Sequence, residues 1–224
     1  MGSVEQPTMR EKIILVSIDD LGRVGPATFN VKLVCEALGV SFSLINHHFG
    51  SRDRLIAEAT LYAYKAYVEE LWAKASREQA PDDRLRAWLL AAVEWTSAHS
   101  GISAILNYPT ASLDVTEIIT QSWREELRSW AELNLARLHQ LVLDVRQGQV
   151  TNRDFTLGDL PLAEFRQDSQ AMLITGSIAL SNLGMCVWSA GKHMPSSRIE
   201  DVRTREDAAL RFHVDQMIKQ ARGA

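Results

Sequence analysis

Between Val31 and Leu55 the chain reads VKLVCEALGVSFSLINHHFGSRDRL, and this segment restricts the fold more than any other. Val31, Val34, Cys35 and Leu38 recur at helical spacing, with the small Cys35 where two helices would approach closely. Gly39 stands where a left-handed residue must end that helix. Ser41 is placed to cap a second helix, in which Leu44, Ile45, His48 and Phe49 turn inward. A further break at Phe49-Gly50 precedes Ser51, which opens another helix. Two short helices joined this way make a helix-turn-helix, whose second helix fits the major groove of DNA.

Several spacings agree at once with one known family. Gly39-Val40-Ser41, His48-Phe49 and Ser51-Arg52 with Leu55 resemble the N-terminal DNA-binding domain of the tetracycline-repressor (TetR) family of regulators. Upstream, Ile13-Ile14, Val16-Ser17, Ile18, Leu21 and Gly25 fit the family's first helix, so the resemblance covers the first fifty-odd residues. Two positions depart from the pattern. Asn30 opens the second helix where the family has a threonine, and it remains a competent N-cap. Asn46 replaces a tyrosine that touches the DNA backbone in the family. Asparagine can bond the N6/N7 edge of adenine, the backbone, or neither, as a residue that only fills a helix end.

The resemblance implies a homodimer on a palindromic operator, with the two recognition helices one helical turn of DNA apart. It also implies release by a small molecule bound in a helical C-terminal domain. The last two helices would form a four-helix bundle with their mates. Ser41, Phe42, Ser43, Asn46 and His47 occupy the exposed positions of the recognition helix. Phe42 suits a thymine methyl or a small packing role, and the hydroxyls suit base edges. Thr28, Asn30, Lys32 and Arg52 sit at helix starts, where they would position phosphates. The adjacent His47 and His48 point apart on a helix, which disfavours a metal site there.

The rest of the chain reads as helices alone, so the expected class is all-α. An N-terminal three-helix helix-turn-helix domain (1–54) is followed by a helical effector-binding and dimerisation domain (55–224). Ser51 caps a helix to about Arg77, and Pro81-Asp82-Asp83 opens one that Ser100-Gly101 should end. A short helix or turn around Ile102–Asn107 should stop before Pro109. Asp114 and Glu117 suggest a capping box for a long helix to Gly148, with the stripe Ile119, Trp123, Leu127, Trp130, Leu138, Leu141 and Val145. Residues 149–160 should be a polar loop. Pro161 should start a helix to Ala190, 191–202 a second loop, and Thr204 with Asp207 should cap the last helix.

Ser169–Gly191 carries no charge and is long enough for a bilayer, but Gln170, Thr175, Asn182 and several serines dilute it. Its small residues favour burial against other helices, and no membrane insertion is expected. Trp95, His99, Tyr108, Trp123 and Met172 are the expected effector-binding residues, for a hydrophobic or aromatic molecule. Tryptophans at helical spacing serve equally as core.

Net charge is −4, and residues 1–54 balance six cations against six acids, so affinity must come from where the bases sit. Cys35 and Cys186 lie far apart and form no CxxC, which suits a reducing cytoplasm and neither zinc nor a disulfide framework. The start MGSVEQPTMREK lacks a secretory pattern. No HExxH, GxSxG, phosphate loop or dinucleotide fingerprint is present, so neither an enzyme nor a cofactor is expected. Two alternatives stay open: a helical ligand-binding protein of the same fold that does not use DNA, and an all-α enzyme.

Overall fold

The computed structural model describes residues 6–107, 112–151, 153–158, 160, 168–190 and 200–223, without the side chains of 190 and 200–206. Among these residues there are nine helices and no strand: α1 (Met9–Thr28), α2 (Val31–Leu38), α3 (Phe42–Phe49), α4 (Arg52–Ala75), α5 (Pro81–Ala98), α6 (Ser100–Asn107), α7 (Leu113–Gln147), α8 (Ser169–Ala190) and α9 (Glu200–Arg222). The chain is all-α, with a helix-turn-helix near its N-terminus. It divides into two compact units, Met1–Lys65 with Ala98–Arg124, and Ala66–Ser97 with Glu125–Ala224. The expected border at 54/55 thus falls inside α4, and α6 belongs with the N-terminal helices.

In the first unit, Thr8 and Glu11 form a reciprocal capping box at the start of α1, a signal the sequence reading passed over. Ile13, Ile14, Ser17 and Leu21 line the buried stripe of that helix. The helix breaks at Gly25, whose φ of 75° only glycine adopts without strain, and Pro26 follows. Facing this break is Gly101, which was expected to stop α5. In fact α5 ends at Ala98 and Gly101 lies inside α6. A Cβ at Gly101 would meet the Leu21 carbonyl oxygen at 2.0 Å, so the glycine serves the close packing of two helices.

The second unit closes around Leu71, Leu85, Trp88, Leu89, Leu138, Leu141, Val142, Ile178, Met185, Val214 and Met217. Helix α8 passes by length and composition as a membrane span, yet Ala171, Thr175, Ile178, Asn182, Met185, Cys186 and Ser189 are buried. That spacing is one helical stripe facing a protein interior. The opposite side leaves Leu173, Leu180, Leu183 and Trp188 exposed.

Three further boundaries differ from expectation. Helix α7 begins at Leu113, so Asp114 lies in its first turn, and Glu117 accepts a bond from Gln121 at 2.7 Å instead of closing a capping box. Helix α8 begins at Ser169, where the Asp168 carboxylate accepts from the Ala171 N–H at 2.8 Å. Pro161 lies outside the described residues, as does the Thr204 side chain; α9 already begins at Glu200, within the expected 191–202 loop. The stripe of α7 is also interrupted, because Trp123 leaves helical geometry (φ −139°, ψ 23°).

Within the expected 149–160 loop, Asp154 and Phe155 are held by contacts to the helices. Phe155 is 1% exposed, and its carbonyl accepts from Arg137 at 3.3 Å. The Trp72 indole N–H reaches Asp154 at 3.1 Å. Arg137 itself, buried, pairs with Glu69 and lies over the Trp72 ring. Such a guanidinium is tolerable only because carboxylate and carbonyl oxygens replace its water.

Candidate nucleic-acid interface

The turn between α2 and α3 is set by three main-chain features. Gly39 adopts φ 65° and ψ 31°, its N–H reaches Glu36, and the Val40 N–H reaches Cys35 at 3.0 Å. This is the Schellman arrangement that terminates a helix on a left-handed residue. The Asn30 side chain caps α2 by accepting from Lys32 at 3.0 Å, and the Ser41 hydroxyl caps α3 by accepting from Leu44 at 3.2 Å. Gly50 (φ 77°) then closes α3, its N–H bonded to the Asn46 carbonyl at 2.8 Å. Each cap and break expected of α2 and α3 is present.

What these devices present is a two-faced helix. Ile45 and Phe49 are buried, and Leu44 and His48 are half-buried. Ser41, Phe42, Ser43, Asn46 and His47 are all exposed. Phe42, at 64% exposure, is a large apolar ring held in water at the first turn of the helix. The Ser41 and Ser43 hydroxyls lie 2.8 Å apart, within hydrogen-bonding reach of each other.

The four residues expected at phosphates fare unequally. Lys32 is exposed, its ammonium 3.7 Å from Glu36 one turn on, a pairing that competes little in water. Asn30 is exposed and engaged as a cap. Thr28 is exposed but returns its hydroxyl to the Val24 carbonyl. Arg52 donates to the Phe29 carbonyl at 3.2 Å, to the Pro26 carbonyl, and to Asp53 at 2.9 Å. Its guanidinium thereby holds the end of α1 to the start of α4, with few donors left over.

Sequence reasoning missed a second group of charged residues. Glu58, at 9% exposure, pairs with Arg10 from α1 and with Arg54 one turn earlier in α4, the latter at 3.5 Å. Arg10 lies over the Phe49 ring, 5.1 Å from its centroid, and Arg54 over Trp123 at 5.4 Å. The signal was legible as a single acid within the apolar run LIAEATL.

The expected effector residues are not gathered in one unit. Trp95 and Met172 belong to the second unit, His99 and Trp123 to the first, and Tyr108 lies outside the described residues. Trp95 is buried, its ring 4.9 Å from that of Tyr67. His99 lies against Gly22. Two cavities of the second unit involve none of the five. One, of about 340 Å³, is lined by Ser181, Gly184, Met185, Trp188, Leu210 and His213 among others. The other, about 580 Å³, has Asp82, Asp83, Arg146 and Arg222 in its walls.

Capped short helices, a left-handed glycine turn and a polar outer face define the first unit as a helix-turn-helix. Comparison with known proteins points the same way. The chain is 25% identical over 149 residues to the HTH-type transcriptional regulator BetI of Brucella anthropi, a match covering 66% of this chain and 72% of that protein. It is similar to proteins of the same name from Brucella suis (28% over 93 residues) and Pseudomonas fluorescens (29% over 89 residues). These two matches cover 42% and 40% of the chain, and 46% and 44% of the relatives' length. No family model matches.

Proposed function

We propose that this protein is a transcriptional regulator of the TetR kind, which binds a palindromic operator as a homodimer and is released by a small hydrophobic or aromatic effector. The observation that carries this reading is the outer face of α3. Five residues that supply base-edge donors, acceptors and a methyl-contacting ring all stand in water on a helix whose inner face is locked by Ile45 and Phe49. The names of the similar proteins support regulation of transcription.

Dimerisation through α8 and α9 is supported by apolar side chains left uncovered there. Leu173 is 76% exposed, Leu180 72% and Phe212 64%. A face of this kind on uncharged α8 is the sort of patch that marks a protein contact. One recognition helix reads too few base pairs for genomic selectivity, and a two-fold axis doubles the site. The effector would bind in the helical C-terminal part, and its influence is bounded by its differential affinity for the two states.

Selection from random duplexes tests the reading. The expected product is a two-fold symmetric site, with half-sites about 10 base pairs apart centre to centre, bound with a negative salt slope. No enrichment after repeated rounds overturns it.

A further inference from the structure

We infer that Glu58 is a positioning residue for the recognition helix, joining the last residue of α3 to the break in α7 through Arg10 and Arg54. The inference rests on the DNA-reading role proposed above and deepens it. The connections follow one line through the first unit. Trp123 sits where α7 departs from helical geometry. Its ring lies beneath the Arg54 guanidinium at 5.4 Å. Arg54 faces Oε1 of Glu58 at 3.5 Å, and Arg10 takes Oε2 of the same carboxylate. Arg10 in turn lies over the ring of Phe49, the residue that ends the recognition helix.

Each link has a physical reason to act through the next. The arginine side chains are 46% and 51% exposed, so neither is held by burial, whereas the carboxylate between them is 9% exposed. One buried negative charge therefore orders two cations that would otherwise repel and sample many rotamers. Each cation is seated on an aromatic face, an attraction that grows as water is excluded. Phe49 is 2% exposed and is followed directly by Gly50, so the ring under Arg10 fixes how the C-terminal end of α3 is seated. A change in the α7 break would shift Trp123, loosen Arg54, and let Arg10 move off Phe49. Uncharged glutamine at 58 keeps the shape and removes the ordering charge.

Binding of the selected operator and of an unrelated duplex, measured side by side for wild type and Glu58→Gln, tests this. The expected result is an operator affinity lowered about tenfold with non-specific affinity equal or higher, since a negative charge is gone. Arg10→Gln, at an exposed position, should reproduce the lost selectivity with lower non-specific affinity. Arg10→Gln and Trp123→Leu should be non-additive in operator affinity, and additive when combined in the Glu58→Gln background. A Glu58→Gln protein that is folded and keeps the wild-type ratio of operator to non-specific affinity overturns the proposal, as does simple additivity in the native background. If Glu58→Gln does not fold, the Arg10 and Trp123 pair decides alone. A wild type that selects no duplex overturns the DNA reading itself, and the positioning role with it.

Discussion

Gly101 approaches Leu21 so closely that a methyl group on its Cα would stand 2.0 Å from the Leu21 carbonyl oxygen, and 2.5 Å from the Gly25 Cα. This contact joins α6 to α1 by main chain against main chain. Gly101→Ala should therefore lower the stability of the first unit by about 1–3 kcal/mol, since backbone cannot yield as a side-chain tip can. Gly39→Ala meets no atom within 4 Å and suffers only from its φ of 65°, with an expected loss of about 1 kcal/mol. Denaturant unfolding of both variants checks the order of the two effects.

Asn46 faces solvent midway along the outer face of α3. If it reads adenine, Asn46→Ala should lose on the order of 1–3 kcal/mol on the selected operator and relax preference at one position of each half-site. Affinity measured across single-base variants of that operator distinguishes this from a backbone contact, for which the loss would be uniform.

Leu180 is 72% exposed on α8, so a charge there leaves the interior of the unit untouched. With the proposed dimer contact on α8, sedimentation velocity should show self-association of the wild type that Leu180→Glu lacks at the same concentration. Operator affinity should fall at least tenfold, because half-site binding loses the second recognition helix.

His139 is 1% exposed, with Nδ1 2.9 Å from the Thr175 hydroxyl, which itself donates to the Ala171 carbonyl at 2.8 Å. The hydroxyl proton is committed, so Nδ1 of the ring is the donor in this contact. Burial pushes its pKa below the ordinary 6.5, with Asp168 opposing. Below pH 6.5 the unfolded chain then binds a proton that the folded chain refuses, so stability falls as pH drops through the window beneath 6.5. The loss ends once the folded histidine titrates. Melting temperatures across this range should fall less in His139→Asn, whose amide can still donate to Thr175.

The helix-turn-helix was legible in the sequence because its determinants are local. Asn30, Gly39, Ser41 and Gly50 act on their own neighbours, and the structure shows each cap and turn where spacing placed it. Placement of α6 was not legible, since it depends on Gly101 meeting Gly25 from a distant part of the chain. Gly101 looks like a helix stop when only its neighbours are read. Arg52 was likewise read by position at a helix start, whereas its donors are drawn to the Phe29 and Pro26 carbonyls at the end of α1. In the Arg10–Glu58–Arg54 group only the Arg54–Glu58 pair follows helical spacing; Arg10, 48 residues from Glu58, joins through the fold and no local pattern announces it. For the expected effector residues, aromatic character at helical spacing suits core and pocket alike, and Trp95 packs on Tyr67 inside its unit.

The central claim is that the outer face of α3 reads DNA bases. The most direct measurement compares wild type with Phe42→Ala/Asn46→Ala/His47→Ala, at matched salt, on the selected operator and on a scrambled duplex. All three side chains are exposed, so helical content and self-association should be unchanged. The account predicts a wild-type preference of about 10³-fold or more for the operator, collapsing to near equality in the triple variant. Equal operator preference in the two proteins would contradict it.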